Sequence, residues 1–299
     1  MLREERFNQA DRVIQLGFWI NAVLMLFKLA AGHWGRSEAV FADGVESACD
    51  FIALLATLVA LRISRQPSDS RHPYGHGRAE SIAAILVALV ILLTGLWIFS
   101  TALHTLLNQN YPHPQGIAVA AALMTIMIKS WLYRYSVGIG RQLGSPAVLA
   151  VAGDHRKDAL TSIATLVGVT AAFAGWGWMD PLAAGLTSFF IIKIGYDTFR
   201  TAAQDLMDTS LPENITQDMI GVAEQVTGVE HVHELKGRRS GQYLIIDLKL
   251  EMAPQMTVKQ SHDITTAVKQ AIFAKFPEVG DVMIHVNPHE EAHEDLARL

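Results

Sequence analysis

The stretch AGDHRKDALTS, residues 152–162, lies near the start of a long apolar run and carries two aspartates four positions apart. On an α-helix, Asp154 and Asp158 share one face and lie one turn apart. A charge at the centre of a membrane helix costs about 2.5–3.5 kcal/mol, so two carboxylates on one stripe need a compensating charge. A bound cation would supply it. The segment ESACD repeats the spacing between Glu46 and Asp50, in another apolar run.

Composition places the chain among membrane proteins. Of its 299 residues, 51% are hydrophobic and 18% are charged, whereas soluble domains carry about 25% charged residues. The apolar runs lie between residues 13 and 200, and residues 203–299 are polar. Six runs are long enough to span a bilayer, because about 20 apolar residues suffice. The predicted spans are 12–31, 38–62, 81–107, 115–137, 147–175 and 179–200.

Net charge and cysteine count exclude several classes of protein. The formal net charge is −5, which argues against nucleic-acid binding because such proteins usually present a basic patch. Cys49 is the only cysteine, so neither an intramolecular disulfide nor a cysteine-based zinc motif can form. We therefore expect membrane lipid around the spans and no nucleic-acid partner.

Arginines indicate how the spans are oriented. They cluster before the first span, between the second and third, and between the fourth and fifth, whereas only Arg36 lies in a loop on the opposite side. Basic residues favour the cytoplasmic side, so both termini are predicted to be cytoplasmic. The expected location is a bacterial inner or plasma membrane.

The polar tail is predicted to form a small α+β domain. The pattern predicts helices over 213–226 and 258–276, and strands over 229–236, 243–252 and 281–286. This αββαβ order is ferredoxin-like and predicts a sheet covered by two helices. The predicted divisions of the chain are an N-terminal segment 1–11, a six-helix transmembrane domain 12–207, a cytoplasmic domain 208–290 and a polar tail 291–299.

The two acidic pairs lie at similar depths in the predicted bilayer. At 1.5 Å per residue, each falls roughly 10–18 Å from the face where its helix enters, near the middle of a core about 30 Å thick. Four carboxylates at matched depth on antiparallel helices could surround one divalent cation. In the alternative interpretation, the carboxylates snorkel, bond between helices or pair with intramembrane lysines. These lysines are Lys28, Lys129 and Lys193.

Two neighbours of the acidic pairs are candidate accessory residues. His155 cannot form an i,i+4 pair, because position 159 is alanine, but it can reach Asp158 at i+3. Cys49 adjoins the stripe of Glu46, although a cysteine in a membrane helix is more often a small packing residue.

These motifs resemble the cation diffusion facilitator family, whose members are proton-coupled exporters of divalent metals. The resemblance rests on acidic pairs in the second and fifth of six spans and on three stretches in order: FADGVESACD, QPSDSRHPYGHGRAES and SPAVLAVAGDHRKDALTS. The tail resembles the family's cytoplasmic domain, so the likeness extends over residues 8–290. It implies a homodimeric antiporter that exchanges a cytosolic divalent cation for protons and has no catalytic cofactor.

The resemblance places the transport site at Glu46, Asp50, Asp154 and Asp158. Family members that export iron and zinc usually have Asp at the first of these positions and His at the third. Here Glu46 and Asp154 leave an all-oxygen ligand set, and carboxylates suit harder ions such as Mn²⁺. The expected cargo is Mn²⁺, with Fe²⁺ next, and the alternative is a member that exports zinc or cadmium.

The loop between the second and third spans holds a second candidate metal site. Asp69, His72 and His76 combine a His-x-x-x-His spacing typical of zinc with a nearby carboxylate, and they match a family site near the membrane surface. The alternative is a turn whose histidines cap backbone groups. Arg78 and Asp208 match a charge pair that ties the helix bundle to the soluble domain and supports the dimer.

The tail holds a third candidate site. His233, His262 and His285 match metal-binding positions of the family's cytoplasmic domain. Lys249 and Asn287 stand where a histidine and an aspartate are usual, and an ammonium group repels a nearby cation, so we expect one metal site rather than a two-metal cluster. In the alternative interpretation the histidines line a solvated sheet edge. The candidate ligands are His233, His285 and either His262 or His289.

Two rival function classes would also use buried carboxylates. An intramembrane metal-dependent hydrolase needs an open coordination position and a separate base or nucleophile, and no His-Glu-x-x-His or Gly-x-Ser-x-Gly motif lies in the spans. A passive metal channel is the other rival. An imposed pH gradient separates it from an antiporter, because a channel cannot accumulate metal against its gradient.

Overall fold

The computed structural model describes residues 3–289, with side chains from residue 8 onward. Six long helices precede a small α+β domain, which confirms the predicted number and order of the long helices. The first helix begins well before the predicted start at residue 12, and the predicted polar tail 291–299 lies outside the described residues. The helices are α1 (Arg3–Trp34), α2 (Glu38–Ser64), α3 (Ala79–Asn108), α4 (Gly116–Leu143), α5 (Pro146–Phe173) and α6 (Met179–Leu206).

Helices α1 to α4 have both the length and the apolar composition of membrane spans. Helices α5 and α6 have 28 residues each, which at 1.5 Å per residue is enough to cross a core about 30 Å thick. They are less apolar because each contains charged residues, and those of α5 include the acidic pair. The protein is therefore an α-helical membrane protein whose charge is concentrated on particular helices.

The chain divides into two compact units, Met1–Ala56 with Leu86–Phe199, and Thr57–Ile85 with Arg200–Leu299. In the first unit α4 packs along α5, and α1 contacts both. Small residues allow this close approach, as is typical of membrane helices. Alanines dominate the buried cluster shared by α1, α2, α4 and α5.

The second unit contains the α+β domain. Its sheet has the order β1-β2-β3, in which β2 pairs antiparallel with β1 and parallel with β3. Both helices pack on the sheet, and alternate residues of β2 (Leu244, Ile246, Leu248 and Leu250) form the centre of its core. The elements are α7 (Glu213–Glu224), β1 (His231–Ser240), β2 (Tyr243–Met252), α8 (Val258–Lys275) and β3 (Val279–Pro288).

This order confirms the predicted αββαβ domain, but β1 ends four residues later than predicted. Its pairing with β2 continues to Ser240 opposite Tyr243, on either side of a two-residue turn. Gly241 has φ of +61° at the first position of that turn, a conformation that glycine adopts without strain. The long hairpin therefore depends on the turn and on the partner strand.

Replacement of Gly168 by alanine should destabilise the helix bundle. A Cβ at this position of α5 would overlap Ala183 Cβ of α6, so the two helix backbones would have to separate. Overpacking of this kind costs about 1–3 kcal/mol, which corresponds to a fall in melting temperature of roughly 2–10 °C. The measurement is thermal unfolding of the purified protein in detergent.

The matched control is Gly138→Ala in α4, where a Cβ would meet no described atom within 4 Å. An equal effect of the two substitutions would show that the loss comes from a general response to alanine rather than from the contact between α5 and α6.

Candidate metal centre

One cavity of about 470 Å³ lies among α1, α2, α4 and α5. Asp50 of α2 and the two aspartates of α5, Asp154 and Asp158, line it. Glu46 is half-buried beside the cavity without lining it, and it interacts electrostatically with both Asp50 and Asp158. The cavity therefore brings three of the four predicted transport-site carboxylates to one space, with the fourth beside it.

The four carboxylates do not form a compact ligand set. Within residues 3–289, the one group of three or more metal-ligating side chains whose ligand atoms lie within 4.8 Å of one another belongs to the loop after α2. Asp158 is instead paired with Lys129 of α4, whose Nζ lies 2.5 Å from Asp158 Oδ2. For Asp158, the structure thus shows the lysine pairing of the alternative interpretation.

A buried ion pair beside the cavity was missed by the sequence reasoning. Lys28 of α1 donates to Asp43 Oδ1 at 3.0 Å and to Ser47 Oγ at 2.7 Å. Ser162 of α5 donates to Asp43 Oδ2 at 3.1 Å. Lys28 and Asp43 are only 2% and 3% exposed, so each charge depends on the other. A sequence signal existed, because Asp43 lies three residues before Glu46, on the flank of the same helical stripe.

The two candidate accessory residues have different surroundings. His155 is 2% exposed, and neither of its ring nitrogens has a hydrogen-bond partner within the described residues. It lines the cavity opposite Gly17 of α1, where a Cβ would lie 3.1 Å from His155 Nε2. Cys49 is buried in an apolar cluster with residues of α3 and α6, which is the environment of a packing residue.

The loop between α2 and α3 brings its three candidate ligands together. Asp69 Oδ1 lies 3.3 Å from His72 Nδ1, and Asp69 Oδ2 lies 3.5 Å from His76 Nε2. Backbone N–H groups of His72 and Arg71 donate to Asp69 and hold the pKa of its carboxyl below the usual range. Two imidazoles and one carboxylate are a donor set that suits Zn²⁺, with a fourth position for water.

Arg78 and Asp208 form a direct contact within the second unit. Arg78 Nη2 donates to Asp208 Oδ1, and Arg78 Nη1 donates to the Leu206 carbonyl at 3.1 Å. Arg238 of β1 approaches the same carboxylate at 3.9 Å. One aspartate after the end of α6 therefore meets both the segment before α3 and the sheet.

In the α+β domain, Glu251 of β2 lies between two of the tail histidines. Its Oε1 is 3.2 Å from His233 Nδ1, and its Oε2 is 2.7 Å from His289 Nδ1. Glu251 was missed by the sequence reasoning because its partners come from β1 and from the residue that follows β3. No described group of three with ligand atoms within 4.8 Å includes His262 or His285. Both are exposed.

The lysine that was expected to repel a metal in this domain is itself paired. Lys249 Nζ lies 2.8 Å from Glu234 Oε2, and hydrogen bonds from Lys249 and Lys236 lower the pKa of Glu234. In the strand register Lys249 stands opposite His285, so its positive charge lies beside that candidate ligand.

Two family models match the chain. The cation efflux transmembrane domain matches residues 14–207, and the cytoplasmic domain of the cation efflux proteins matches residues 211–289.

Curated relatives resemble nearly the whole chain. The manganese efflux system protein MneP of Bacillus subtilis (strain 168) is 33% identical, covering 97% of this chain and 100% of the relative. The magnetosome protein MamB of Magnetospira sp. (strain QH-2) is 31% identical, covering 93% and 95%. The manganese efflux system protein MneS of Bacillus subtilis (strain 168) is 30% identical, covering 90% and 92%.

Replacement of His76 by alanine should remove one Zn²⁺ from each chain. The imidazole is one of only three side-chain ligands in the loop cluster, and two remaining ligands hold zinc poorly. The measurement is metal content after equilibration with Zn²⁺ and removal of free ion. His113→Ala, at an exposed position between α3 and α4, is the control and should leave the zinc content unchanged. Equal zinc content in parental and His76→Ala proteins would rule out the loop site.

Proposed function

Because the chain belongs to the cation diffusion facilitator family of cation efflux transporters, we propose that it exports Mn²⁺ from the cytosol in exchange for protons. The observation that carries the proposal is the cavity in which Asp50, Asp154 and Asp158 face one space within the helix bundle. Carboxylates within membrane helices are energetically expensive, and those that occur usually line ion or proton pathways.

The proposed transport site consists of the three cavity aspartates and Glu46. Two of its members come from α2 and two from α5, so a relative movement of these helices changes the distances between the carboxylates. Metal and protons compete for the same oxygens, and that competition is the proposed basis of exchange. The metal is cargo, so its release matters as much as its capture.

The choice of Mn²⁺ rests on ligand chemistry and on relatives. Oxygen donors suit Mn²⁺, whereas imidazole favours zinc and the later metals. Two relatives that cover at least 90% of this chain are named for manganese efflux. Fe²⁺ is the next candidate.

One observation favours zinc or cadmium export as the second candidate. The unpartnered ring of His155 lines the same cavity, and its nitrogens are donors of the kind that zinc prefers. A nitrogen ligand beside Asp158 would offset the absence of histidine at position 154. Competition between Mn²⁺, Zn²⁺ and Cd²⁺ during uptake separates the two candidates.

The proposal includes the arrangement in the membrane. Both termini face the cytoplasm of a bacterial inner or plasma membrane, a transmembrane domain spans 12–207, and a cytoplasmic domain at 208–290 joins two copies in a homodimer. The cluster of arginines between the second and third spans supports this orientation. The contact between Arg78 and Asp208 would serve as a hinge.

Replacement of Asp50 by alanine should abolish uphill Mn²⁺ transport. In proteoliposomes with an imposed pH gradient, the parental protein should accumulate Mn²⁺ against its gradient and move protons the other way, reported by an internal pH-sensitive dye. Loss of the Asp50 carboxylate removes one of three anionic groups that line the cavity.

Asp197→Ala is the matched control, because Asp197 is an exposed carboxylate on α6 paired with Lys193. Transport by Asp50→Ala at the parental rate would refute the site assignment. Mn²⁺ flux that never exceeds equilibrium in the parental protein would instead identify a passive channel.

Replacement of Asp154 by histidine should shift the preference from Mn²⁺ towards Zn²⁺. The substitution exchanges an oxygen donor for an imidazole nitrogen at a position that lines the cavity, and we expect roughly a tenfold change in the ratio of kcat/KM values for the two metals. Asp154→Asn removes the charge without supplying nitrogen coordination and is the control. An unchanged ratio would place Asp154 outside the ligand set.

A further inference from the structure

Lys129 is the single contribution of α4 to the wall of the acidic cavity. It is 3% exposed, and its Nζ lies 2.5 Å from Asp158 Oδ2. Asp50, across the same cavity, interacts electrostatically with the Lys129 ammonium as well. The sequence of α4 contains no acidic residue. What α4 adds to the cavity is therefore a positive charge.

The other three lysines of the bundle are arranged differently. Lys157 of α5 also lines the cavity and interacts electrostatically with Asp50, but it is exposed and forms no ion pair within the described residues. Lys28 is held by Asp43 and Ser47, neither of which belongs to the proposed transport site. Lys193 forms an exposed i,i+4 pair with Asp197 on α6. Within residues 3–289, Lys129 is thus the one lysine whose ion pair uses a carboxylate of the proposed transport site.

The ammonium group and a divalent cation would compete for Asp158. A metal held by this carboxylate would lie close to the position of Lys129 Nζ, and the two like charges would repel one another strongly in a poorly screened interior. The lysine stem is a flexible four-carbon chain, so the ammonium can move while its Cα stays in the helix. A buried ammonium without a carboxylate is costly, which favours its return to Asp158.

We propose that Lys129 is a tethered competitor cation that alternates with the transported metal on Asp158 and thereby promotes metal release. The inference rests on the proposed transport site and extends it, because it adds a group that weakens binding. When the metal binds, it displaces the ammonium from Asp158. When the ammonium returns, it expels the metal. The site therefore does not bind the metal too tightly to release it.

The alternative role for Lys129 is to orient Asp158. Side chains that hydrogen-bond to a metal ligand commonly hold it in place, and their loss weakens metal affinity by about 10–100-fold. A competitor predicts the opposite sign, because its loss should strengthen binding. The two roles are therefore separated by the direction of one measured change.

The test is equilibrium binding of Mn²⁺ to the full-length protein, with free Mn²⁺ measured by electron paramagnetic resonance. Lys129→Met and Lys129→Gln should each lower Kd for Mn²⁺ roughly tenfold, because a positive charge next to the site is removed. In proteoliposomes the same variants should show a lower KM together with a lower kcat, as expected for slower release. Lys129→Arg keeps the charge and should restore Kd towards the parental value.

Lys193→Met is the matched control, because it removes a lysine from an ion pair on α6 outside the cavity, and its Kd should equal the parental value. Melting temperature and elution volume verify that each variant is folded, and the glutamine substitution retains a hydrogen-bond donor for Asp158. Unchanged or weaker Mn²⁺ binding by both uncharged variants would overturn the proposal.

Asp158→Asn separates this inference from the proposed function. If that substitution abolishes Mn²⁺ binding while Lys129→Met leaves Kd unchanged, the transport site stands and the competitor role fails. If Asp158→Asn binds Mn²⁺ like the parental protein, Asp158 is not a ligand, and both the site and the competitor role fail.

Discussion

The structure depends on the cost of placing charge in a low-dielectric interior. Three of the four lysines in the helix bundle, Lys28, Lys129 and Lys193, lie against an aspartate, at 2.5–3.0 Å between nitrogen and oxygen. The two buried pairs join different helices, so the requirement for neutrality also fixes which helices are neighbours. Lys28 ties α1 to α2, and Lys129 ties α4 to α5. Breaking either pair would leave an uncompensated buried charge, which typically costs about 3–5 kcal/mol.

Much of the fold could be predicted because its signals are local. A run of about 20 apolar residues ended by glycine or proline identifies a membrane helix without knowledge of its neighbours. The α+β domain followed in the same way from alternation along β2. The end of β1 was harder to predict from the sequence, because the strand continues to Ser240 only through its pairing with Tyr243 across a tight turn. A strand end that depends on the partner strand is set by tertiary structure, so the local sequence pattern does not show it.

The arrangement of the candidate site could be predicted only in part, for a related reason. Spacing along a helix predicts how deep a residue lies in the membrane and which residues share its face. Asp154 and Asp158 share a face by this rule, and both line the cavity. Spacing gives neither the rotation of one helix against another nor the partner on a distant helix. Glu46 therefore lies beside the cavity, and the pairing of Lys129 with Asp158 was one interpretation among several. Glu251 was overlooked because its histidine partners lie on β1 and just after the end of β3.

The loop cluster and the cavity correspond to two different ways of building the proposed cation sites. Asp69, His72 and His76 are within eight residues of one another, and backbone N–H groups fix the carboxylate, so their ligand atoms already lie within 4.8 Å. Such a preorganised site suits an ion that stays. A transporter must bind its ion well enough to admit it and weakly enough to release it. In the proposed transport site the carboxylates are divided between α2 and α5, and one of them is held by a lysine of α4. That arrangement would meet the requirement, because a movement of one helix against the other would change the separation of the carboxylates.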